Sequence, residues 1–202
     1  MSFTVTGRTT LEVPPIKNSR FIATVAPVST MAEALAVVDE VAAAGPRANH
    51  HCWAVRLSDG TSRSSDDGEP SGSAGRPILA RLEGREVEDC VVVVSRWFGG
   101  TKLGVGGLVR AYGGCAGAAL DAADKVAVVR TVMLTVDHGY GDTGLLDGVF
   151  AEVGASVAGA DYGAAVRRTL IVLPEQVATL RRRVVEATAG RAAVSESASA
   201  GE

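Results

Sequence analysis

Apolar residues recur along this chain with two different periods, and the change of period predicts where strands give way to helices. Alternating or continuous β-branched segments favour strands, at residues 3–13, 20–28, 51–57, 89–94, 131–136, 155–162, 165–173 and 191–196. A spacing of three to four residues favours helices, at about residues 31–44, 76–82, 105–123, 145–153 and 174–189. Pro14 and Pro15 separate the first two predicted strands.

The order of these elements divides the chain into two predicted domains, residues 1–126 and 127–202. The second follows the order βαββαβ, which is typical of the ferredoxin-like arrangement. The first has no such diagnostic order, and its pattern predicts a mixed domain of helices and strands. We therefore expect an α+β protein of two domains, with a small polar tail at residues 197–202 that frays.

Composition limits the classes of function. Of 202 residues, 47% are hydrophobic and the net charge is −3, so a globally basic nucleic-acid binder is excluded and any anion site must be local. Cys52, Cys90 and Cys115 fall within predicted strands and a helix, as reduced core thiols do. The sequence has no leader-like or membrane-length apolar run, so we expect a cytoplasmic protein without a membrane partner.

The segment after the most apolar strand carries the strongest functional signal. Five glycines fall between residues 99 and 107, between that strand and a predicted helix. Free N–H groups at the start of a helix attract anions, and nearby basic side chains add full charges. The pattern predicts a phosphate-type anion site formed by Arg96, Trp97, Phe98, Gly99, Gly100, Lys102, Gly104, Gly106, Gly107 and Arg110.

The glycine spacing fits neither of two common nucleotide motifs. Leu103 follows Lys102 where a Walker A motif needs serine or threonine, and Val109 stands where the dinucleotide motif needs glycine or alanine. A tight connection between strand and helix is the alternative explanation of the glycines.

A second polar segment, residues 58–76, lies upstream; we call it the acidic segment and expect it to support the glycine-rich segment. An ion pair from its acidic residues to Arg96, Lys102 or Arg110 would order both segments, giving a cluster of His50, Asp66, Asp67, Glu69 and Arg76. Two alternatives are a cation held by the carboxylates and an acidic surface turn. His50 and Cys52 share one face of a strand, which supplies at most two metal ligands where zinc needs three or four, so we assign no metal and no cofactor. We assign no catalytic residue, because no Gly-x-Ser-x-Gly nucleophile motif is present.

Four segments in order resemble the IMPACT/YigZ family: KNSRFIA at 17–23, NHHCWA at 49–54, DDGEPSGSAGRPIL at 66–79 and RWFGGTKLGVGGLVRAY at 96–112. The main departure is Trp97, where the family often carries tyrosine. The resemblance implies an N-terminal domain similar to domain IV of elongation factor G, which is ribosomal-protein-like. It also implies a ferredoxin-like C-terminal domain similar to domain V of that factor.

The resemblance favours a translation-linked protein that binds RNA or the ribosome and regulates translation, rather than an enzyme. Fold likeness to a ribosomal factor is analogy, so two alternatives stay open. One is an enzyme that acts on a phosphorylated or nucleotide substrate through the His/Asp/Glu cluster. The other is a protein-interaction module with a protein partner. We expect a monomer.

Overall fold

The computed structural model describes residues 2–196, so the tail at 197–202, which we expect to fray, lies outside the described residues. The chain divides into two compact units, one ending at Val128 and the other beginning at Val129. Among the described residues, no helix is long and apolar enough to cross a membrane.

The first unit contains the elements β1 (Phe3–Val5), β2 (Thr9–Ile16), β3 (Ser19–Pro27), α1 (Met31–Ala44), β4 (His50–Arg56), β5 (Ser62–Ser65), α2 (Gly75–Gly84), β6 (Cys90–Trp97), α3 (Val105–Ala122) and β7 (Lys125–Ala127). Within the described part of the chain, five of these strands form an antiparallel sheet in the order β2-β3-β6-β4-β5. Strands β1 and β7 pair separately with each other.

Helices cover both faces of this sheet, because β3, β4 and β6 are apolar on both sides. On one face, residues such as Phe21, Cys52 and Val94 pack with α2 and α3. On the other, residues such as Val55 and Val93 pack with α1. The central strand β6 is buried from Cys90 to Arg96, as its continuous β-branched segment predicts.

The polar and proline-containing segments of this unit differ from the sequence prediction. Residues 3–13 do not form one strand but two, β1 and β2, which belong to different sheets. Pro14 and Pro15 do not separate strands; they lie inside β2, where the register with β3 shifts. Strand β2 is at an edge, where the missing N–H groups of proline are tolerated. Strands β5 and β7 were not predicted, because β5 is entirely polar and β7 is exposed throughout.

The second unit contains β8 (Val132–His138), α4 (Thr143–Val153), β9 (Ser156–Tyr162), β10 (Val166–Val172), α5 (Val177–Thr188) and β11 (Ala193–Glu196). Over the described residues, these strands form an antiparallel sheet in the order β11-β8-β10-β9. Leu134 and Leu170 of the sheet pack against Leu146 of α4 and Leu180 of α5. The α+β class and the ferredoxin-like βαββαβ order are confirmed.

Candidate functional site

The glycine loop, residues 98–104, connects the end of β6 to the start of α3 and is fixed at its β6 end. The N–H of Phe98 donates to Asn49 Oδ1 at 2.8 Å, and the N–H of Gly99 donates to Ser19 Oγ at 3.2 Å. A Cβ at Gly99 would lie 2.0 Å from the carbonyl carbon of Asn18, so only glycine lets the two backbones approach this closely.

The other end of the loop presents free backbone donors. Gly104 precedes α3 with φ 72° and ψ 162°, a conformation open almost only to glycine, and no side chain that the structure describes caps the helix. The first bond of the helix runs from the N–H of Leu108 to the carbonyl of Gly104 at 2.9 Å. None of the N–H groups from 100 to 107 has an acceptor within residues 2–196.

Two cations accompany these donors. Lys102 and Arg110 are exposed, and neither forms an ion pair with any residue that the structure describes. Arg110 Nη1 lies 3.7 Å from the position that a Cβ at Gly106 would occupy, so this guanidinium lies against the first turn of α3. The partial positive charge of the helix N-terminus and the full charges of the two side chains therefore lie in the same region.

Arg96 has a different environment from these two cations, because it is only 5% exposed. Its Nη1 donates to Glu69 Oε1 at 2.6 Å, and its Nη2 donates to Ser19 Oγ at 3.3 Å. Tyr112 donates to the same Glu69 oxygen at 2.7 Å, and burial raises the pKa of Tyr112. Of the expected ion pairs, the one between Glu69 and Arg96 is present; it joins the acidic segment to the end of β6 and does not involve Lys102 or Arg110.

Asp66 orders the acidic segment by capping α2. Its Oδ1 accepts from the N–H groups of Ala74 and Gly75 at 2.9 and 2.8 Å, and its Oδ2 accepts from Gly72 at 2.8 Å. Partial burial raises the pKa of this carboxyl, but the three N–H groups outweigh that effect and lower it overall. Asp66 is therefore occupied inside the protein.

Asp67 and His50 join the acidic segment to β4. Asp67 Oδ2 accepts from the N–H of His51 at 2.5 Å, and His50 Nδ1 lies 2.7 Å from the carbonyl oxygen of Asp67. His50 Nε2 is 3.9 Å from Glu69 Oε1. Among the described residues, no group of three or more His, Cys, Asp or Glu side chains could hold a metal ion.

Two residues of the expected site lie apart from this cluster. Trp97 stacks with Arg20, whose guanidinium is 4.9 Å from its ring centroid, on the sheet face that also carries His51 and Ser95. Arg76 is exposed and has no ion-pair or hydrogen-bond partner among residues 2–196. Alternation along β6 turns Trp97 to the face opposite Arg96.

Sequence reasoning did not assign site roles to Ser19, Asn49 or Tyr112, which hold the loop and the ion pair. All three lie in the segments that resemble the family, so their co-occurrence was the available signal.

Burial raises the pKa of Cys52 to about 12, so this thiol is protonated near neutral pH and is a poor nucleophile.

A cavity of about 320 Å³ opens beside the glycine loop. Its walls combine the buried ion pair, the lysine, the start of α3 and apolar side chains, and they include Glu69, Arg96, Phe98, Lys102, Leu103 and Leu108. The loop thus has both an exposed donor surface and a recess next to it.

Comparison with known proteins covers nearly the whole chain. Residues 17–120 match the model of the Impact N-terminal domain, and residues 136–191 match a domain of unknown function, DUF1949. The IMPACT family member YigZ of Escherichia coli is 34% identical over 182 residues, which are 88% of this chain and 89% of that protein. An IMPACT family member encoded in the pol 5′ region of Thermus thermophilus is 42% identical over 134 residues, which are 66% of this chain and 73% of that protein.

A solved structure, described as that of a hypothetical protein, covers 98% of this chain and 98% of its own, with a TM-score of 0.66 and 30% identity. The matching models, the relatives and this fold agree over both units, and the chain belongs to the IMPACT family.

Proposed function

We propose that this protein binds RNA through the glycine loop and the start of α3, and that it acts on translation in the cytoplasm. The phosphate backbone is the ligand group. Membership of the IMPACT family and the resemblance to two elongation-factor domains support the link to translation. The RNA partner is free RNA or RNA of the ribosome.

One observation carries the proposal. From 100 to 107, no backbone N–H group has an acceptor within residues 2–196, and the exposed cations Lys102 and Arg110 flank them without ion-pair partners in that range. Backbone donors at a helix start bind phosphate oxygens, and lysine and arginine neutralise phosphate charge. A loop that served only as a connection would not need both features.

The test is a salt titration with a single-stranded oligoribonucleotide labelled for fluorescence anisotropy. Lys102→Ala should weaken binding uniformly across sequences and lower the slope of log affinity against log salt by about 0.7, because one phosphate contact is lost. Arg63→Ala is the matched control, since Arg63 is an exposed cation of β5, at the sheet edge formed by that strand. Equal affinity and slope for the two variants would overturn the proposal.

Crosslinking in growing cells followed by sequencing of the attached RNA tests the translation link. We expect ribosomal or transfer RNA to be labelled by the wild-type chain and to be depleted with Lys102→Ala. Labelling restricted to other RNA would remove the link to translation, while leaving RNA binding in place. Arg96→Ala is unsuitable as a control, because it leaves the buried carboxylate of Glu69 without its cation.

A further inference from the structure

The cavity beside the glycine loop has a feature that phosphate binding does not explain. Two nitrogens of Arg96 bond to Glu69 and Ser19, but Arg96 Nε is buried and has no partner among the described residues. A buried N–H without an acceptor is destabilising, so a shift of the Arg96 side chain that brings Nε to a ligand oxygen in the cavity would be favoured. Because Arg96 lines the cavity, this recess is suited to a ligand that enters beside the exposed loop.

Glu69 requires a hydrogen-bond donor from the ligand, whereas Arg96 requires an acceptor. Its Oε1 accepts from both Arg96 and Tyr112, whereas its Oε2 receives no hydrogen bond from residues 2–196. Glu69 also lines the cavity, and its side chain is 5% exposed. A carboxylate oxygen accepts from hydroxyl or N–H donors and repels a bare phosphate. The ligand must therefore carry a hydrogen-bond donor as well as an anionic group.

Phe98 supplies the third element. Phe98 is 48% exposed, and the guanidinium of Arg96 lies 5.5 Å from the centroid of its ring. An exposed aromatic ring next to a cationic groove is a stacking surface for a base of a single strand. The volume of about 320 Å³ is at the small end of ligand pockets, which suits one nucleotide rather than a longer segment.

We propose that this cavity binds one ribonucleotide, with its phosphate at the start of α3 and Lys102, its ribose hydroxyl donating to Glu69, and its base stacked on Phe98. The proposal rests on the RNA-binding function above and adds a preference for ribose over deoxyribose. The 2′-hydroxyl is the group by which a protein distinguishes RNA from DNA at a given site. The ribonucleotide is either a residue of an RNA strand or a free nucleotide, since both carry the same groups.

The first experiment changes the ligand, so that no variant has to fold. Labelled RNA, the DNA of the same sequence and the 2′-O-methyl RNA are compared at one salt concentration. We expect DNA and 2′-O-methyl RNA to bind about tenfold more weakly than RNA, which is the effect of one lost hydrogen bond. Equal binding of all three, with all three weakened by Lys102→Ala, would overturn the ribose contact and leave phosphate binding intact. Failure of all three to bind would overturn both proposals.

A second experiment distinguishes the two sources of the ribonucleotide. Ribonucleoside monophosphates and their 2′-deoxy analogues are titrated as competitors of the labelled RNA. Displacement by the ribonucleotide alone would support the cavity and identify a free nucleotide as a ligand. If neither competitor displaces an RNA that retains its ribose preference, the ligand is a residue within a strand.

Variants then test the two assigned side chains. Glu69→Gln replaces a charge-assisted hydrogen bond to the 2′-hydroxyl by a weaker neutral one, so it should lower the ratio of RNA to DNA affinity, with thermal unfolding measured to verify the fold. Phe98→Leu keeps an apolar side chain but removes the aromatic ring, so it should weaken RNA and DNA alike and keep their ratio. An unchanged ratio in a folded Glu69→Gln variant would contradict the assignment of Glu69.

Discussion

Helices α2 and α3 pack on the same face of one sheet, but their N-termini are satisfied in different ways. At α2, the carboxylate of Asp66 accepts from Gly72, Ala74 and Gly75, so an anion of the chain itself occupies the helix start. At α3, the residue before the helix is Gly104, and no side chain among residues 2–196 accepts from the first N–H groups of the helix. Both helix starts have free N–H groups at the positive end of the helix dipole. Among the described residues, a carboxylate accepts from these groups at α2 but not at α3.

The contrast indicates which of the two is available to a ligand. An occupied start contributes to stability and cannot bind a second anion, whereas an open start is solvated until a ligand arrives. Both segments pack closely against neighbouring backbone, since a Cβ at Gly75 or Gly99 would lie within 3 Å of the backbone of Ser65 or Asn18. Under the proposed function, the start of α2 is structural and the start of α3 is the one that binds a ligand.

The largest expected effect comes from disturbing the fixed end of the open loop. Gly99→Ala places a methyl group 2.0 Å from the carbonyl carbon of Asn18, so the glycine loop must move away from the turn between β2 and β3, and we expect destabilisation of about 4 kcal/mol or more. Urea denaturation measures this effect. Gly100→Ala is the matched control: a Cβ added there meets no described residue within 4 Å apart from its chain neighbours, and only the positive φ of 86° should cost about 1 kcal/mol. Similar losses for both variants would show that the loop is not held at Asn18.

The second largest loss of stability is expected at the start of α2, where Asp66 accepts from backbone N–H groups. Asp66→Asn keeps one oxygen acceptor and turns an amide toward an N–H donor, which should cost about 2 kcal/mol at neutral pH. Because the pKa of Asp66 is lower in the folded state, its contribution is present above the unfolded value of about 3.9 and is lost as pH falls through the folded value. The variant should therefore lose less stability than wild type over that acidic window.

Asp67→Asn is the control for this measurement, because Asp67 accepts through one oxygen from a single backbone N–H. We expect a smaller loss at neutral pH than with Asp66→Asn. A loss as large would mean that capping of α2 is not what distinguishes Asp66.

The smallest change in stability is expected at Gly106, where one substitution should stabilise the fold and weaken RNA binding. Gly106→Glu places a carboxylate in the first turn of α3, where an added Cβ meets nothing closer than Arg110 Nη1 at 3.7 Å. Higher helix propensity and the helix dipole should stabilise the protein by about 1 kcal/mol, while RNA affinity falls because the open start is now occupied. Gly106→Ala should stabilise to a similar or smaller extent without repelling phosphate. If both variants bind RNA equally, the start of α3 is not the anion site.

Local pattern was enough to predict much of the fold. The continuous valines of β6 and the βαββαβ periodicity of the second unit are strong short-range signals. Strands β5 and β7 escaped prediction, since their residues are polar or exposed and only pairing with β4 or β1 makes them strands. The two prolines of β2 were misread as a break because an edge position cannot be recognised from local sequence.

The candidate site divides in the same way. The open glycine loop is encoded within about ten residues and was predicted from them. The capping of α2 by Asp66 spans eight to nine residues of irregular chain and has no local motif. The ion pair of Arg96 with Glu69 was predicted as one of several pairings, and the alternation of β6 places Arg96, rather than Ser95 or Trp97, on the sheet face where Glu69 lies. RNA binding by these residues stays a prediction.

The pairing of β1 with β7 has a consequence for engineering. Because Phe3 is opposite Ala127 and Val5 is opposite Lys125, the beginning and the end of the first unit are adjacent strands. A short peptide could join them, so a circularly permuted version with new termini at an exposed turn is feasible. Deleting the first five residues would instead leave β7 without its hydrogen-bonding neighbour and loosen the segment that leads into the second unit.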